Sequence, residues 1–297
     1  MRVAFYCDDR RESGLGHWAR CTALSNALVA RGHNTKLHGF GDEPLGFDLV
    51  VVDSYALETA DFERLARGAP LCVIDDLADR DLSAAFAVLN QNYGAGRLPY
   101  KTSGNAKMLL GPAFALLRKQ FSQTRETLSR DFARTDNRVL VTLGGGEVAH
   151  ALLRVLEDLS RVRRTLEITV LGMDAPAGFT SAHSIRFIRR TDEIAPLFAQ
   201  TDLAITSAGV TALELSCLGV PMIAIALAQN QMPSAAALRE AGLASAPGTL
   251  EEALPQLAAL TDSLLGDWRK RAELSRDLRL RVDGLGAERA AQELEAI

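Results

Sequence analysis

At 297 residues, 47% of them hydrophobic and 24% charged, the chain is long enough for two domains of ordinary size and too rich in apolar residues for a disordered polymer. Its 33 basic and 37 acidic residues give a formal net charge of −4 and are well mixed, which leaves no basic patch for a nucleic-acid partner. No apolar run reaches membrane-spanning length and the first strand begins at once, so no membrane partner and a cytoplasmic location are expected. Cys7, Cys21, Cys72 and Cys217 form no C-x-x-C pair, sit among apolar neighbours and read as free thiols.

Apolar runs then alternate with helical patterns. Strands are predicted near 2–7, 35–38, 48–53, 71–75 and 86–90, and helices over 17–31 and near 58–67. This is the signature of a parallel sheet wrapped by helices. The first helix carries Cys21, Leu24 and Leu28 at three- and four-residue spacing, which marks its buried face. A strand at Met108–Leu110 and a helical run from Ala115 to about Arg130 follow, and the polar stretch 131–137 is taken as the domain boundary. The expected domains are 1–134 and 135–297.

The most informative stretch of the first half is Gly14-Leu15-Gly16-His17, between the first strand and the first helix. Glycines let the backbone turn sharply and approach a ligand, and the unpaired N–H groups of a first helical turn favour an anion. The positive end of the helix dipole also favours a neutral imidazole at His17, the form that accepts a proton from water. Several strands end in polar residues: Asp53-Ser54-Tyr55, Asp75-Asp76 and Asn90-Gln91-Asn92-Tyr93. In an open parallel sheet these tips line one crevice with the glycine turn. Taken singly, Ser54 and Asp76 read as turn or cap residues.

The second half repeats the grammar. A strand over 138–142 runs into Leu143-Gly144-Gly145-Gly146-Glu147 and a helix to about Leu159. Further strands are predicted near 166–171, 185–188, 202–206 and 221–227, with helices near 192–199, 209–218 and 232–241. Ser207-Ala208-Gly209 closes a strand and opens a helix whose first-turn N–H groups, with the Ser207 and Thr211 hydroxyls, can hold a phosphate. Glu214, slightly more than a turn further in, has the two oxygens that match the vicinal hydroxyls of a ribose. Gln229-Asn230-Gln231 places amides at another strand tip, suited to sugar hydroxyls and acetamido groups. The tail from Glu251 is helical, and its Arg-rich part, 269–281, reads as a solvated face that could bridge the domains. Two such α/β domains would face each other across an interdomain cleft.

In order along the chain, the Gly-x-Gly-His turn, Asp53-Ser54-Tyr55, Asp75-Asp76, Asn90-Gln91-Asn92, Phe114–Arg118, the Gly144-Gly145 turn, Ser207-Ala208-Gly209 with Glu214, and Asn230-Gln231 resemble the UDP-sugar hydrolase of pseudaminic acid biosynthesis. That family looks like a small member of the GT-B fold, with two Rossmann-like domains, related in architecture to the glycosyltransferase that makes lipid II. The resemblance covers nearly the whole chain. It implies removal of UDP from UDP-2,4-diacetamido-2,4,6-trideoxy-β-L-altropyranose by water attack at the anomeric carbon with inversion, His17 activating the water. It also implies that the second domain holds UDP: Glu214 on the ribose, the Ser207–Gly209 turn on the diphosphate, and backbone near Phe187 and Ile188 on the uracil. Asn230, Gln231 and Tyr93 are the candidates for sugar or phosphate. Gly146-Glu147 departs from the family's Thr or Ser followed by Asp.

The chemistry suits what the residues offer. UDP leaves as a stable phosphate anion, so donors at a helix N-terminus and a single general base can suffice. With no H-E-x-x-H or similar spacing, no metal and no other cofactor are expected, and a monomer is adequate. The rival readings are a glycosyltransferase in which His17 deprotonates an acceptor alcohol, a UDP-sugar 2-epimerase of similar fold, and a non-catalytic nucleotide-sugar sensor.

Overall fold

In the computed structural model of the chain, residues 1–8, 15–38, 46–133, 136–144 and 148–296 are described. The chain divides into two compact units, Met1–Lys119 with Gly284–Ile297, and Gln120–Asp283.

The first unit is built on a six-stranded, all-parallel sheet of β1 (Arg2–Cys7), β2 (Asn34–His38), β3 (Leu49–Asp53), β4 (Leu71–Ile74), β5 (Ala87–Asn90) and β6 (Lys107–Leu110), in the order β2-β1-β3-β4-β5-β6. Strands β3, β4 and β5 are buried along their whole length, as strands covered on both faces must be, which is why they read as unbroken apolar runs. Val3, Phe5, Val51, Ile74 and Leu89 face one side of the sheet. There they pack on Cys21, Leu24 and Leu28 of α1 (Leu15–Ala30) and on Ala287, Ala290, Ala291 and Leu294 of a helix from the far end of the chain, Gly286–Leu294. Ala4, Tyr6, Val50, Val52 and Val73 face the other side, against Phe62 and Leu65 of α2 (Thr59–Ala66).

In the second unit the sheet order is β12-β11-β10-β7-β8-β9, again all parallel: β7 (Arg138–Thr142), β8 (Glu167–Leu171), β9 (Ser184–Ile188), β10 (Leu203–Ser207), β11 (Met222–Ala226) and β12 (Ser245–Thr249). Helix α3 (Lys119–Thr127) enters this unit, and α4 (Ala149–Leu159), α5 (Ile194–Ala199), α6 (Val210–Leu218), α7 (Met232–Glu240), α8 (Leu250–Gly266) and α9 (Trp268–Arg281) complete it; the helix over Gly286–Leu294 is α10. Val139, Val141, Val170, Ile205 and Ile223 form the core with Leu152 and Val155 of α4 and Ala253 and Leu257 of α8.

Three expectations are corrected. The first concerns the helix predicted over 115–130, which spans only Lys119–Thr127, because Pro112–Phe114 form a 3₁₀ turn and Ala115–Arg118 run without helix into it. Next, the division falls after Lys119 and not at 134. The physical cause lies in two arginines. Arg125 donates to the carbonyls of Cys217 (2.7 Å), Arg279 (3.0 Å) and Val282 (3.1 Å), and Arg130 to those of Thr201 (2.8 Å), Leu218 (3.2 Å) and Phe198 (3.3 Å), which draws 120–130 into the second unit. Finally, the Arg-rich segment 269–281 is not a solvated face throughout. Arg271 is buried and donates to Leu264 O (2.7 Å), Leu265 O (2.6 Å) and Phe132 O (3.1 Å), a side-chain donor to the last carbonyls of α8. Strand β12 was not expected at all: its sequence, with Pro247 and Gly248, has no strand pattern and survives only because it lies at the sheet edge.

Candidate active site

Each sheet reverses its winding at one place. In the first, the chain leaves β1 for β2 on one side and returns to β3 on the other; in the second, β7 is followed outward by β8 and β9, and β10 then pairs on its opposite side. At such a switch point the two following connections diverge and leave a crevice beyond the strand ends. The candidate residues of each unit gather at its switch point.

In the first unit the parallel register sets Cys7, the last residue of β1, directly opposite Asp53, the last of β3. Both side chains take the sheet face covered by α1. His17, Arg20 and Cys21, at i, i+3 and i+4, share the helix face that looks back at them. The contact is short and buried. His17 Nδ1 lies 2.6 Å from Asp53 Oδ1, with His17 only 5% exposed and Asp53 fully enclosed. Arg20 grips the same carboxylate with two donors, Nε to Oδ2 at 2.5 Å and Nη2 to Oδ1 at 2.6 Å, and spans to Asp76 Oδ2 through Nη1 at 2.7 Å. Asp76 also accepts from the Tyr55 hydroxyl (2.8 Å) and from Asn92 Nδ2 (2.8 Å). Tyr55 sets its ring edge-on to the imidazole at 4.5 Å between centroids, and its backbone N–H donates to Asp8 Oδ2 at 2.8 Å.

Burial alone would push the Asp53 carboxyl up, but the Arg20 charge and the hydrogen bonds from His17 and Arg20 outweigh it and hold the group down at about 2. Asp53 is therefore an anion that only accepts, so Nδ1 of His17 is the donor and the lone pair of a neutral ring sits on Nε2. What orients the ring is a carboxylate at hydrogen-bond distance. The same charge balance raises the Arg20 guanidinium well above its ordinary value: burial opposes it, and Asp53 and Asp76 prevail. Beside them, Cys21 Sγ lies 3.7 Å from Asp53 Oδ2, and its thiol is raised well above the ordinary value by a hydrogen bond with Cys7 and by burial.

Of the residues singled out in this unit, His17, Asp53, Tyr55 and Asn92 belong to one hydrogen-bonded and ring-packed cluster. Gly16 is the second residue of α1, half-buried beside His17; Tyr93 is buried next to Asn92; Gly14 lies outside the described residues. Sequence reasoning missed Arg20 and gave Asp76 a capping role. The available signal was the i, i+3 spacing of His17 and Arg20, which puts both on one helix face.

In the second unit, Ser207 ends β10 and Gly209 precedes α6, whose N-terminus has no side-chain cap there. Gly144, just past β7, has φ +96°, a region that side chains rarely occupy, and a Cβ on it would lie 3.6 Å from Ser207 Oγ. Gln231 Oε1 accepts from Leu227 N–H (3.0 Å), which leaves its Nε2 3.6 Å from where a Gly209 Cβ would be. Gly172 N–H donates to Ile188 O at 2.9 Å, tying the Phe187–Ile188 strand end to β8, and Gly172 in turn abuts the Gly144 carbonyl. Ser207 and Ala208 are buried, Thr211 and Asn230 half-buried, and Glu214 only 7% exposed, far from the solvated helix residue its type suggests. Gly145, with Gly146 and Glu147, lies outside the described residues.

Two other histidines have structural partners: His33 bonds the N-terminal amine (3.0 Å) and Glu295 (2.7 Å), and His183 the carbonyl of Leu159 (2.9 Å). Among the described residues no helix is long and apolar enough to cross a membrane.

No family model matches the chain. Over 96% of its length it is 24% identical to the spore coat polysaccharide biosynthesis protein SpsG of Bacillus subtilis, of which it covers 95%. Among solved structures, MurG of Acinetobacter baumannii matches 100% of this chain and 99% of its own at TM-score 0.67 and 14% identity. The Streptomyces glycosyltransferase SsfS6, solved with thymidine diphosphate, matches 100% of both chains at TM-score 0.60 and 14% identity. The fold is that of the GT-B glycosyltransferases, two Rossmann-like domains.

Proposed function

We propose that the protein is an enzyme that consumes a nucleotide sugar, and that it hydrolyses a UDP-linked diacetamido-trideoxy sugar at its anomeric carbon with inversion. The observation that carries this reading is the His17–Asp53 pair at the switch point of the first unit. A general base needs a lone pair on a positioned ring, and a buried carboxylate that fixes the tautomer supplies it. Water gives its proton to His17 Nε2 as its oxygen bonds to the anomeric carbon; the C–O bond to the diphosphate breaks, and the electron pair leaves on UDP. An oxocarbenium-like transition state of this kind needs no acid on a phosphate leaving group.

For the second unit the proposal assigns the diphosphate to the Ser207–Gly209 turn and the N-terminus of α6, the ribose to Glu214, and the uracil to backbone near Phe187 and Ile188. Its support is the convergence of Gly144, Ser207, Gly209 and Gln231 at one rim, where the glycines admit a close ligand. The relatives agree in class: SpsG is named for polysaccharide biosynthesis, and SsfS6 is a glycosyltransferase solved with a nucleoside diphosphate.

The same geometry serves a transferase in which His17 deprotonates an acceptor alcohol, and the whole-chain likeness to SsfS6 favours that second reading. One assay separates them. Incubated with UDP-sugars and no acceptor, a hydrolase releases UDP and free sugar in equal amounts, and NMR of the first-formed anomer shows inversion. UDP release that appears only when an alcohol acceptor is added overturns the hydrolase in favour of the transferase.

A further inference from the structure

Among the described residues one group has the composition of a metal site: the sulfurs of Cys7 and Cys21 and a carboxylate oxygen of Asp53 all lie within 4.8 Å of one another. The fold places them together for separate reasons. Cys7 faces Asp53 across the β1–β3 register, and Cys21 comes from α1, one helical turn after His17 on the same face. Two thiols and a carboxylate are the donor set that zinc and its heavier congener cadmium select over oxygen-preferring cations. His17 Nδ1–H, 2.6 Å from Asp53, already holds the same carboxylate.

We propose that Cys7, Cys21 and Asp53 form a site for a thiophilic divalent cation, and that its occupation switches the His17–Asp53 pair off. The charge balance allows this in a buried place. The cation enters as M²⁺ and both thiols leave their protons to water, M²⁺ + Cys7–SH + Cys21–SH → M(S–Cys7)(S–Cys21) + 2 H⁺, so the formal charge beside Arg20 does not change. Oxidation states stay fixed and no co-reactant is needed. Cys7 is half-buried, so the cation has a way in from one side, whereas Cys21 is enclosed. A cation that takes Asp53 competes with His17 for the same carboxylate. The ring then loses the acceptor that fixes its tautomer.

Cadmium titration of the reduced full chain tests the site directly, through thiolate-to-cadmium absorbance in the ultraviolet and proton release into a weakly buffered solution. One cadmium and two protons per chain are expected. Cys7→Ser and Cys21→Ala should each weaken binding by more than the ~100-fold that loss of an outer-shell partner brings, with far-UV circular dichroism confirming that the variants are folded. Cys72→Ala with Cys217→Ala should bind as the parent does. Absence of the band in the parent chain overturns the proposal whatever the variants do, and so does a band that persists in Cys7→Ser. The switching half rests on the reading of His17 as the base: with UDP release as the assay, cadmium should abolish turnover and a chelator restore it. Full binding without inhibition removes the role given to the His17–Asp53 pair and leaves the site standing.

Discussion

Replacing Asp53 by asparagine changes one oxygen to an amide nitrogen and tests the buried cluster where it is most exposed to failure. The folded protein holds this carboxyl at about 2, against an ordinary 3.8, a difference of nearly two pH units that corresponds to about 2 kcal/mol at neutral pH. The amide also turns a donor toward a guanidinium that is itself all donors, and breaking a buried ion pair from one side costs ~3–5 kcal/mol. Because Arg20 keeps Asp76, the lower end of that range is expected, about 3 kcal/mol. The chain has two tryptophans, Trp18 on α1 and Trp268 in the second unit, so fluorescence in a Trp268→Phe background reports unfolding of the first unit. With a urea slope of ~2 kcal/mol per molar, the midpoint should fall by about 1.5 M. A depressed carboxyl stabilises fully above its unfolded value and loses that contribution as pH drops through its folded value, so the gap between parent and variant should be full above about pH 5 and close between about 4 and 2. A midpoint shift under ~0.3 M, or a gap that widens with acid, refutes the account of how this cluster is held.

His17→Asn should lower UDP release by at least ~10²-fold, about 3 kcal/mol of barrier, with UDP affinity by calorimetry unchanged within twofold or so; turnover within about threefold of the parent removes His17 as the base. For Glu214→Ala the loss should fall on nucleotide binding, a roughly tenfold weaker UDP dissociation constant, about 1.4 kcal/mol, and equal affinity would count against the ribose assignment. Gly286→Ala sets a methyl 2.3 Å from Ala115 N and 2.5 Å from Ala115 O at the start of α10. It should destabilise the first unit by ~1–3 kcal/mol in the same urea assay, while in a Trp18→Phe background the Trp268 signal of the second unit stays in place.

Much of this was legible because parallel sheets advertise themselves. Val50–Val52, Val73–Ile74 and Val88–Leu89 are buried on both faces, so they appear as apolar runs, and the polar residues that follow them fall at strand tips by construction. The His17–Asp53 contact was half visible. Both residues were placed at one rim, but their pairing depends on β1 and β3 being neighbours, and strand order is not written in local pattern. Arg20 escaped for a related reason: alone, an arginine in a helix is a solvent residue, and only the two carboxylates brought up by β3 and β4 explain its burial. Arg125, Arg130 and Arg271 misled in the same way, since their partners are backbone carbonyls that a sequence does not mark. At β12 the local chemistry argued against a strand, and tertiary pairing overrode it.

The placement of α10 has a consequence for how the chain comes to be built. Its apolar face, Ala287, Ala290, Ala291 and Leu294, finishes a core whose other half is laid down by α1 and β1, and Arg31 and His33 clasp Glu295 from the far side of the sequence. During synthesis from the N-terminus, residues 120–283 therefore emerge complete and can fold while their older neighbour still shows an uncovered flank. The half made first is the half that matures last, and a released chain cut short near residue 284 would carry one complete lobe and one open, aggregation-prone lobe.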